Sequence, residues 1–340
     1  MFVQDFEVKF GLHSELVIHL DNWVRFVTAS QTKNLAFDLV PAEFCGRNDR
    51  YLFPFELLDY GSTLRLQRIQ LGFVHIELPS QFSGFPNLRK LDLHLVRATA
   101  KDLKDLLSSC SSLEWLSIVR CHLDDELKVD LPLPRLLYLR VADSMITRIK
   151  FNAMNLETFV YRGWRCPIDT RSSDLKDAHI HFFDRISLED TLTILPTVLS
   201  RVKNLNLQVK ATLQMPMMLE NASKFSQLKY LVLELSFNVF MDPRLCWEPL
   251  RSLPPHPHIY LKDLYITGFV ASTGQLEFLL HTVDNAPGLE VLTLDPAPKF
   301  DKNVGWEYAG QTDLFSQHAR EISRKHLSGR ISPTAKVCIL

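Results

Sequence analysis

The chain holds 340 residues, 46% hydrophobic and 23% charged, with a formal net charge of −1. That is enough apolar material for a large core, and length alone suggests about two domains, while a near-neutral charge gives no electrostatic case for nucleic acid or an anionic membrane as the main partner. The cysteines at 45, 110, 121, 166, 246 and 338 form no CxxC pair, the N-terminal MFVQDFEVKF lacks the basic-then-apolar plan of a signal peptide, and no apolar run approaches the ~18 residues of a membrane span, so reduced thiols in the cytoplasm or nucleus are expected.

In chain order, a template of apolar, two residues, apolar, one residue, apolar begins weakly at Val3/Phe6/Val8, Thr32/Leu35/Phe37 and Leu66/Ile69/Leu71. Between the first two copies, SELVIHLDNWVRFVTAS (14–30) opens on a serine cap and repeats apolar residues three or four apart, which predicts a helix. Stronger copies follow at Leu88/Leu91/Leu93, Leu113/Leu116/Ile118, Leu136/Leu139/Val141 and Leu156/Phe159/Tyr161. Then come Leu175/Ala178/Ile180, Val202/Leu205/Leu207, Leu228/Leu231/Leu233, Leu261/Leu264/Ile266 and Leu289/Leu292/Leu294. Helices are predicted at 98–110, 188–202 and 273–283, the second kinked or interrupted by Pro196. DLPLPRL (130–136) and RSLPPHPH (251–258) are too short or too rich in proline for a full helix. KFDKNVGWEYAGQTD (299–313) breaks the period, and AREISRKHLSG (319–329) reads as a closing helix.

The first positions of these units run from 3 to 289 in eleven steps, a mean of 26 residues with single gaps of 19 to 34. A period in this range carrying LxxLxL is the signature of leucine-rich repeats. Alternate side chains of a strand face opposite sides. Each unit therefore offers an apolar face it cannot bury alone, and stacked units bury it together. The expected fold is an α/β leucine-rich-repeat solenoid, a horseshoe with parallel strands on the concave face and helices and irregular returns on the convex face. The solenoid occupies 1–297 in about twelve units, and 298–340 is a linker with a capping helix. An ordinary α/β domain with buried parallel strands is the competing reading. Cys121 stands eight residues after the first leucine of its unit, where such repeats often place Asn or Cys, and is expected to be small and buried. Only Ser144 and Ser236 match it there, and Trp164, in the same position, is expected to pack inward.

Residues at the third, fifth and seventh positions of each unit face outward. In the middle units they are aromatic and basic: Trp115, Tyr138, Arg140, Arg162, His179 and His181, with Tyr230 further on. Such side chains dominate protein interfaces. They are the expected partner-binding residues, receiving an acidic or phosphorylated segment of a target protein on the concave face. The flanks lean acidic, with Asp5, Glu7, Asp38 and Asp92 on one side and Glu234, Asp263 and Asp295 on the other. His179 and His181 could share a metal with Asp177, but a metal needs a third and usually a fourth ligand, so a solvated pair is the expectation. No GxxxxGK, GxSxG or HExxH motif occurs. No cofactor, metal or catalytic residue is expected, nor is a polyphosphate pocket.

VQDFEVKF, HLDNWVRFV and KNLAFDLVP at the N-terminal side, with FPNLRKLDLHLV, CSSLEWLSIVRC and LPRLLYLRV in the middle, make nearly the whole chain resemble the repeat region of plant F-box/leucine-rich-repeat proteins. The resemblance implies the substrate receptor of a Skp1–cullin–F-box ubiquitin ligase, in which the F-box holds Skp1 and the repeats hold the target. The F-box segment that precedes the repeats in that family does not stand before the first strand here, so Skp1 is an expected partner only if an F-box is encoded upstream. The alternative is an F-box-less scaffold or competitive binder with no ligase link.

Overall fold

Each of the twelve template copies coincides with a β-strand in the computed structural model, which describes residues 3–44, 47–123, 126–129, 132–169, 172, 174–185, 195, 201–210, 227–235, 250, 255, 257–297 and 312–340. The chain forms two compact units, Met1–Asp174 and Leu175–Leu340, a different division from the expected solenoid and tail.

The first unit carries β1 (Asp5–Lys9), β2 (Asn34–Asp38), β3 (Tyr51–Leu52), β4 (Arg68–Gly72), β5 (Val74–Ile76), β6 (Lys90–His94) and β7 (Arg97–Ala98). It continues with β8 (Trp115–Val119), β9 (His122–Leu123), β10 (Leu127–Val129), β11 (Tyr138–Ala142), β12 (Ile149–Phe151), β13 (Thr158–Gly163) and β14 (Ile168–Asp169). Its main ladder is parallel in the order β1-β2-β4-β6-β8-β11-β13, with like template positions side by side: Phe6, Leu35, Ile69, Leu91, Leu116, Leu139 and Phe159 form one row. All of this row except Phe6 is buried. A second regularity holds the stack from the backbone. The carbonyl before each strand accepts N–H bonds from the next unit, as at Lys33 from Gln67 (2.8 Å), Arg89 from Glu114 (2.8 Å) and Glu114 from Leu137 (2.9 Å).

The returns are not only helices and irregular chain. Phe73, Leu95, Arg120 and Asp143 each follow a main strand with φ of 53–60°. A left-handed residue with a side chain costs roughly 1–2 kcal/mol. Here each such residue donates its N–H to a carbonyl at the end of the next strand: Phe73 to His94 (2.9 Å), Leu95 to Val119 (2.9 Å), Arg120 to Ala142 (2.8 Å) and Asp143 to Arg162, one residue before the end of β13 (2.7 Å). The turn leads into short secondary strands, which form two further parallel ladders, β3-β5-β7-β9 and β10-β12-β14. Helix α1 (Val17–Ala29) lies within the predicted 14–30 and buries Leu20, Val24 and Val27. A short α2 (Tyr60–Arg65) starts at Asp59, whose carboxylate accepts the Ser62 N–H. Helix α3 (Ala100–Ser108) answers the predicted 98–110, capped by Thr99, whose hydroxyl accepts the Asp102 N–H at 3.0 Å.

The second unit carries β15 (Asp177–Arg185), β16 (Asn204–Lys210), β17 (Tyr230–Leu235), β18 (Asp263–Thr267), β19 (Val291–Asp295) and β20 (Lys336–Ile339), paired in parallel in chain order. Helix α4 (Thr273–Asn285) covers the predicted 273–283. Helix α5 (Thr312–Leu327) overlaps the predicted closing helix, and the chain then returns as β20. That thirteenth strand pairs Val337 with Leu292 and Ile339 with Leu294. It lies in the stretch read as linker and cap, because it stands beyond the break in the period at 299–313. The expected helix at 188–202, Ser236 and the break at 299–313 lie almost wholly outside the described residues.

Cys121 is buried as expected, and its thiol is pushed up to about 12 by burial. Its backbone N–H donates to Ser144 Oγ at 3.0 Å, and that hydroxyl donates onward to Ala142 O at 3.1 Å. Ser144→Ala leaves the buried Cys121 N–H without an acceptor. It is expected to cost about 1–3 kcal/mol, read as a lower urea midpoint. Cys110 is likewise buried and pushed up to about 12, and Cys166 is buried beside the Tyr161 hydroxyl. The thiolate is the reactive species. Iodoacetamide at pH 8 should therefore leave Cys110, Cys121 and Cys166 unmodified in the folded chain and label them once it is unfolded, as mapped by peptide mass.

Trp164 does not pack inward as expected; it is 58% exposed. Strand β13 runs on to Gly163, and Tyr161 turns back so that its hydroxyl donates to the Trp164 carbonyl, filling the inner space with Tyr161 and Cys166 instead.

Candidate functional site

Template alternation turns the residues at the third, fifth and seventh positions of each unit away from the core. In the first unit the register sets Lys90, Trp115, Tyr138 and Thr158 in one row and Asp92, Ser117, Arg140 and Val160 in the next. The Trp115 and Tyr138 rings stack nearly parallel, centroids 3.6 Å apart and 8° between planes. Lys90 Nζ stands 5.0 Å from the Trp115 ring on a neighbouring strand. An aromatic pair of this kind contributes about 0.5–1.5 kcal/mol beyond burial, so the two rings form a fixed wall rather than mobile side chains. Trp115 Nε1 is buried with no hydrogen-bond partner among the described residues. Burial raises the Tyr138 phenol above its ordinary value.

Arg140 is exposed and has no ion-pair partner among the described residues. Arg162 is different. Its Nε lies 3.0 Å from Asp143 Oδ1, so it enters the face as half of an ion pair. Ser117 and Ala142 also stand on this side of the ladder but are 2% and 1% exposed, a small-residue floor covered by larger neighbours. His94 borders the floor. Burial lowers its pKa most, then the cation Arg120; Asp38 and Asp92 act in the opposite direction, and Arg140 adds the smallest lowering. A histidine whose folded pKa is depressed favours folding above its unfolded value of ~6.5 and loses that contribution as pH falls. The His94 ring should therefore titrate below ~6.5 by NMR, and His94→Gln should flatten the acid limb of the stability profile.

From β4 to β13, the outward positions and the left-handed residues that follow them carry Arg68, Lys90, Arg120, Arg140 and Arg162 against Asp92 and Asp143. The face is cationic within a chain whose net charge is −1. Beyond it, Asp38 pairs with Lys9 at 3.4 Å, and Asn34 donates to Asp5 at 2.5 Å.

In the second unit, His179 is exposed on β15, and His181, half-buried, meets Phe183 edge-on at 5.3 Å. Tyr230, 46% exposed, lies in a different row, beside Asn204 and Asp263. The structure thus brings Trp115, Tyr138 and Arg140 together, places Arg162 beside them already paired, and sets His179, His181 and Tyr230 on the other unit. Among the described residues no three His, Cys, Asp or Glu side chains gather in a group able to hold a metal, and no helix is long and apolar enough to cross a membrane. Arg120 escaped the sequence reading because it is the eighth residue of its unit, one past the alternating set.

The match to a family profile agrees with this architecture. The profile of a family described as "At1g61320/AtMIF1, LRR domain" matches residues 3–244. An Arabidopsis thaliana protein described as an F-box/FBD/LRR-repeat protein, At1g13570, is 29% identical over 120 residues, 35% of this chain. The chain spans 26% of that relative's length. A leucine-rich-repeat protein of Leptospira interrogans has a solved structure that aligns with a TM-score of 0.40 at 16% identity, covering 98% of this chain and 89% of its own.

Proposed function

Since the chain belongs to the leucine-rich-repeat domain family described for At1g61320/AtMIF1, we propose that it is the target-recognition part of a Skp1–cullin–F-box ubiquitin ligase working in the cytoplasm or nucleus. It binds a protein segment on the outward face of its main ladder and catalyses nothing itself. Leucine-rich-repeat modules of this kind are typically interaction surfaces. The ligase link is supported by the F-box/FBD/LRR-repeat relative and extends to Skp1 only through an F-box encoded with these repeats.

The observation that carries the reading is the Trp115–Tyr138 stack beside the unpaired Arg140. Rigid aromatics and an open guanidinium, held on a regular strand scaffold, are what an interface anchor needs. The test is co-precipitation from plant cells with the full gene product. Skp1 and a shared target should be recovered, and Trp115→Ala should lose the target while keeping Skp1. Recovery of the target without Skp1 supports the second reading, a scaffold or competitive binder. A target retained by Trp115→Ala removes this face from both.

A further inference from the structure

Arg120 follows the last residue of β8 in the left-handed conformation, φ 53°, with its N–H bonded to Ala142 O at 2.8 Å. That turn frees its side chain from the strand alternation, and the guanidinium lies 5.9 Å from the Phe44 ring. On the ladder, His94 pairs with Val119, the residue just before Arg120, and Arg140 pairs with Ser117 on the same strand. Ala142 pairs with Val119 from the other side. Arg120 and Arg140 therefore flank the Ser117–Ala142 floor, and neither has an ion-pair partner among the described residues. Burial lowers the His94 pKa most, and both cations add to that lowering, Arg120 more than Arg140.

We propose that this face recognises a phosphomonoester on the target segment, its oxygens held between the guanidinium groups of Arg120 and Arg140 at the edge of the Ser117–Ala142 floor. The proposal rests on the reading of the face as a target-binding surface and narrows what the target must carry. Two guanidinium groups offer more donors and more charge than one carboxylate can use, and they suit a dianion with three acceptor oxygens. Asp92 reaches the same floor from the opposite side, pairing with Ser117, so a single dianion is confined to the arginine side. A nucleic-acid backbone, which needs an extended cationic track, would run onto Asp92 and then onto Glu7 and Asp38 on β1 and β2.

Acetyl-Gly-phosphoserine-Gly-amide, its glutamate counterpart, inorganic phosphate and a short single-stranded RNA are titrated into the full chain, observed through 15N-labelled arginine side chains. The phosphoserine peptide should bind saturably, shift the Arg120 and Arg140 resonances, and bind at least ~10-fold more tightly than the glutamate peptide. Arg120→Gln and Arg140→Gln, both at exposed side chains, should each lose ~10-fold without changing thermal unfolding. Equal binding of the two peptides, unchanged binding in both variants, inorganic phosphate binding as tightly as the peptide, or RNA binding through the same two arginines would each overturn the assignment. The full chain also separates this claim from the broader one. A target that survives phosphatase treatment but is lost with Trp115→Ala removes the phosphate alone, whereas one insensitive to both removes the face.

Discussion

Truncating Phe53 to alanine is expected to lower the unfolding free energy by about 3–5 kcal/mol. Phe53 is 2% exposed and sits in the middle of a chain of rings. On one side it meets Phe37 edge-on at 5.8 Å and Tyr51 at 6.3 Å; on the other it meets Phe55 at 4.9 Å. Phe37 continues to Phe6 at 6.1 Å, and Phe55 to Phe82 at 5.5 Å and Phe85 at 6.4 Å. Cutting the middle removes three ring contacts at once and leaves a cavity whose walls are other rings. Its neighbours are held in place by β2, β3 and the 3₁₀ turn Phe55–Leu57, so collapse into the gap is resisted. Phe26 at the exposed end of the row, 5.8 Å from Phe6, is the control. Phe26→Ala should cost well under half as much. The measurement is the urea midpoint of the full chain, and equal losses from the two substitutions would show that the row is not a continuous packed spine.

The main ladder was legible because strand alternation and the need to bury a shared face impose one spacing on every unit. Leu91, Leu116 and Leu139 could be placed in a row without coordinates, and the structure puts them there. What escaped lies where the chain leaves that alternation. The residues of YLFPF at 51–55 fall between templates, so their ring spine depends on where the returns meet rather than on any period. The strand at Lys336–Ile339 carries the same Thr-x-x-apolar-x-apolar opening as Thr32/Leu35/Phe37, a signal that was available but lay beyond the break at 299–313. Trp164 was placed inward by counting eight residues from Leu156. The count presumes that each unit turns at the same residue, whereas Tyr161 and Cys166 occupy that space here. At the candidate site, alternation identified Trp115, Tyr138 and Arg140 as outward neighbours. It could not show that Asp143, in a left-handed turn, reaches Arg162, because a positive φ redirects the side chain outside the two-residue period.

That last difference sets the second large expectation. Arg140→Ala and Arg162→Ala look equivalent from the template, yet their effects on target binding should be unequal. Arg162 shares its charge with Asp143, and both side chains are partly exposed, with a relative accessibility of 45% for Arg162. Deleting it removes a surface pair worth about 0–1 kcal/mol and leaves Asp143 to repel an acidic partner weakly. Arg140 has no such partner among the described residues and stands next to the ring stack. Deleting Trp115 removes the wall itself, because Tyr138 then loses the ring 3.6 Å from its own and Lys90 loses the face it sits over. Anchors of this type contribute about 2 kcal/mol or more when truncated, so Trp115→Ala should weaken target binding roughly 30-fold. Arg140→Ala should follow at ~10-fold, with Arg162→Ala within ~5-fold of the parent. Trp115→Phe, which keeps a stacking ring, should recover most of the loss, separating the wall from the indole N–H, which has no hydrogen-bond partner among the described residues. Affinities for the cross-linked and identified target, measured by calorimetry on variants whose melting is unchanged, decide the order. If Arg162→Ala proves as damaging as Arg140→Ala, the ion pair with Asp143 does not persist in solution, and the cationic centre of the face lies one strand further along than the register of β11 places it.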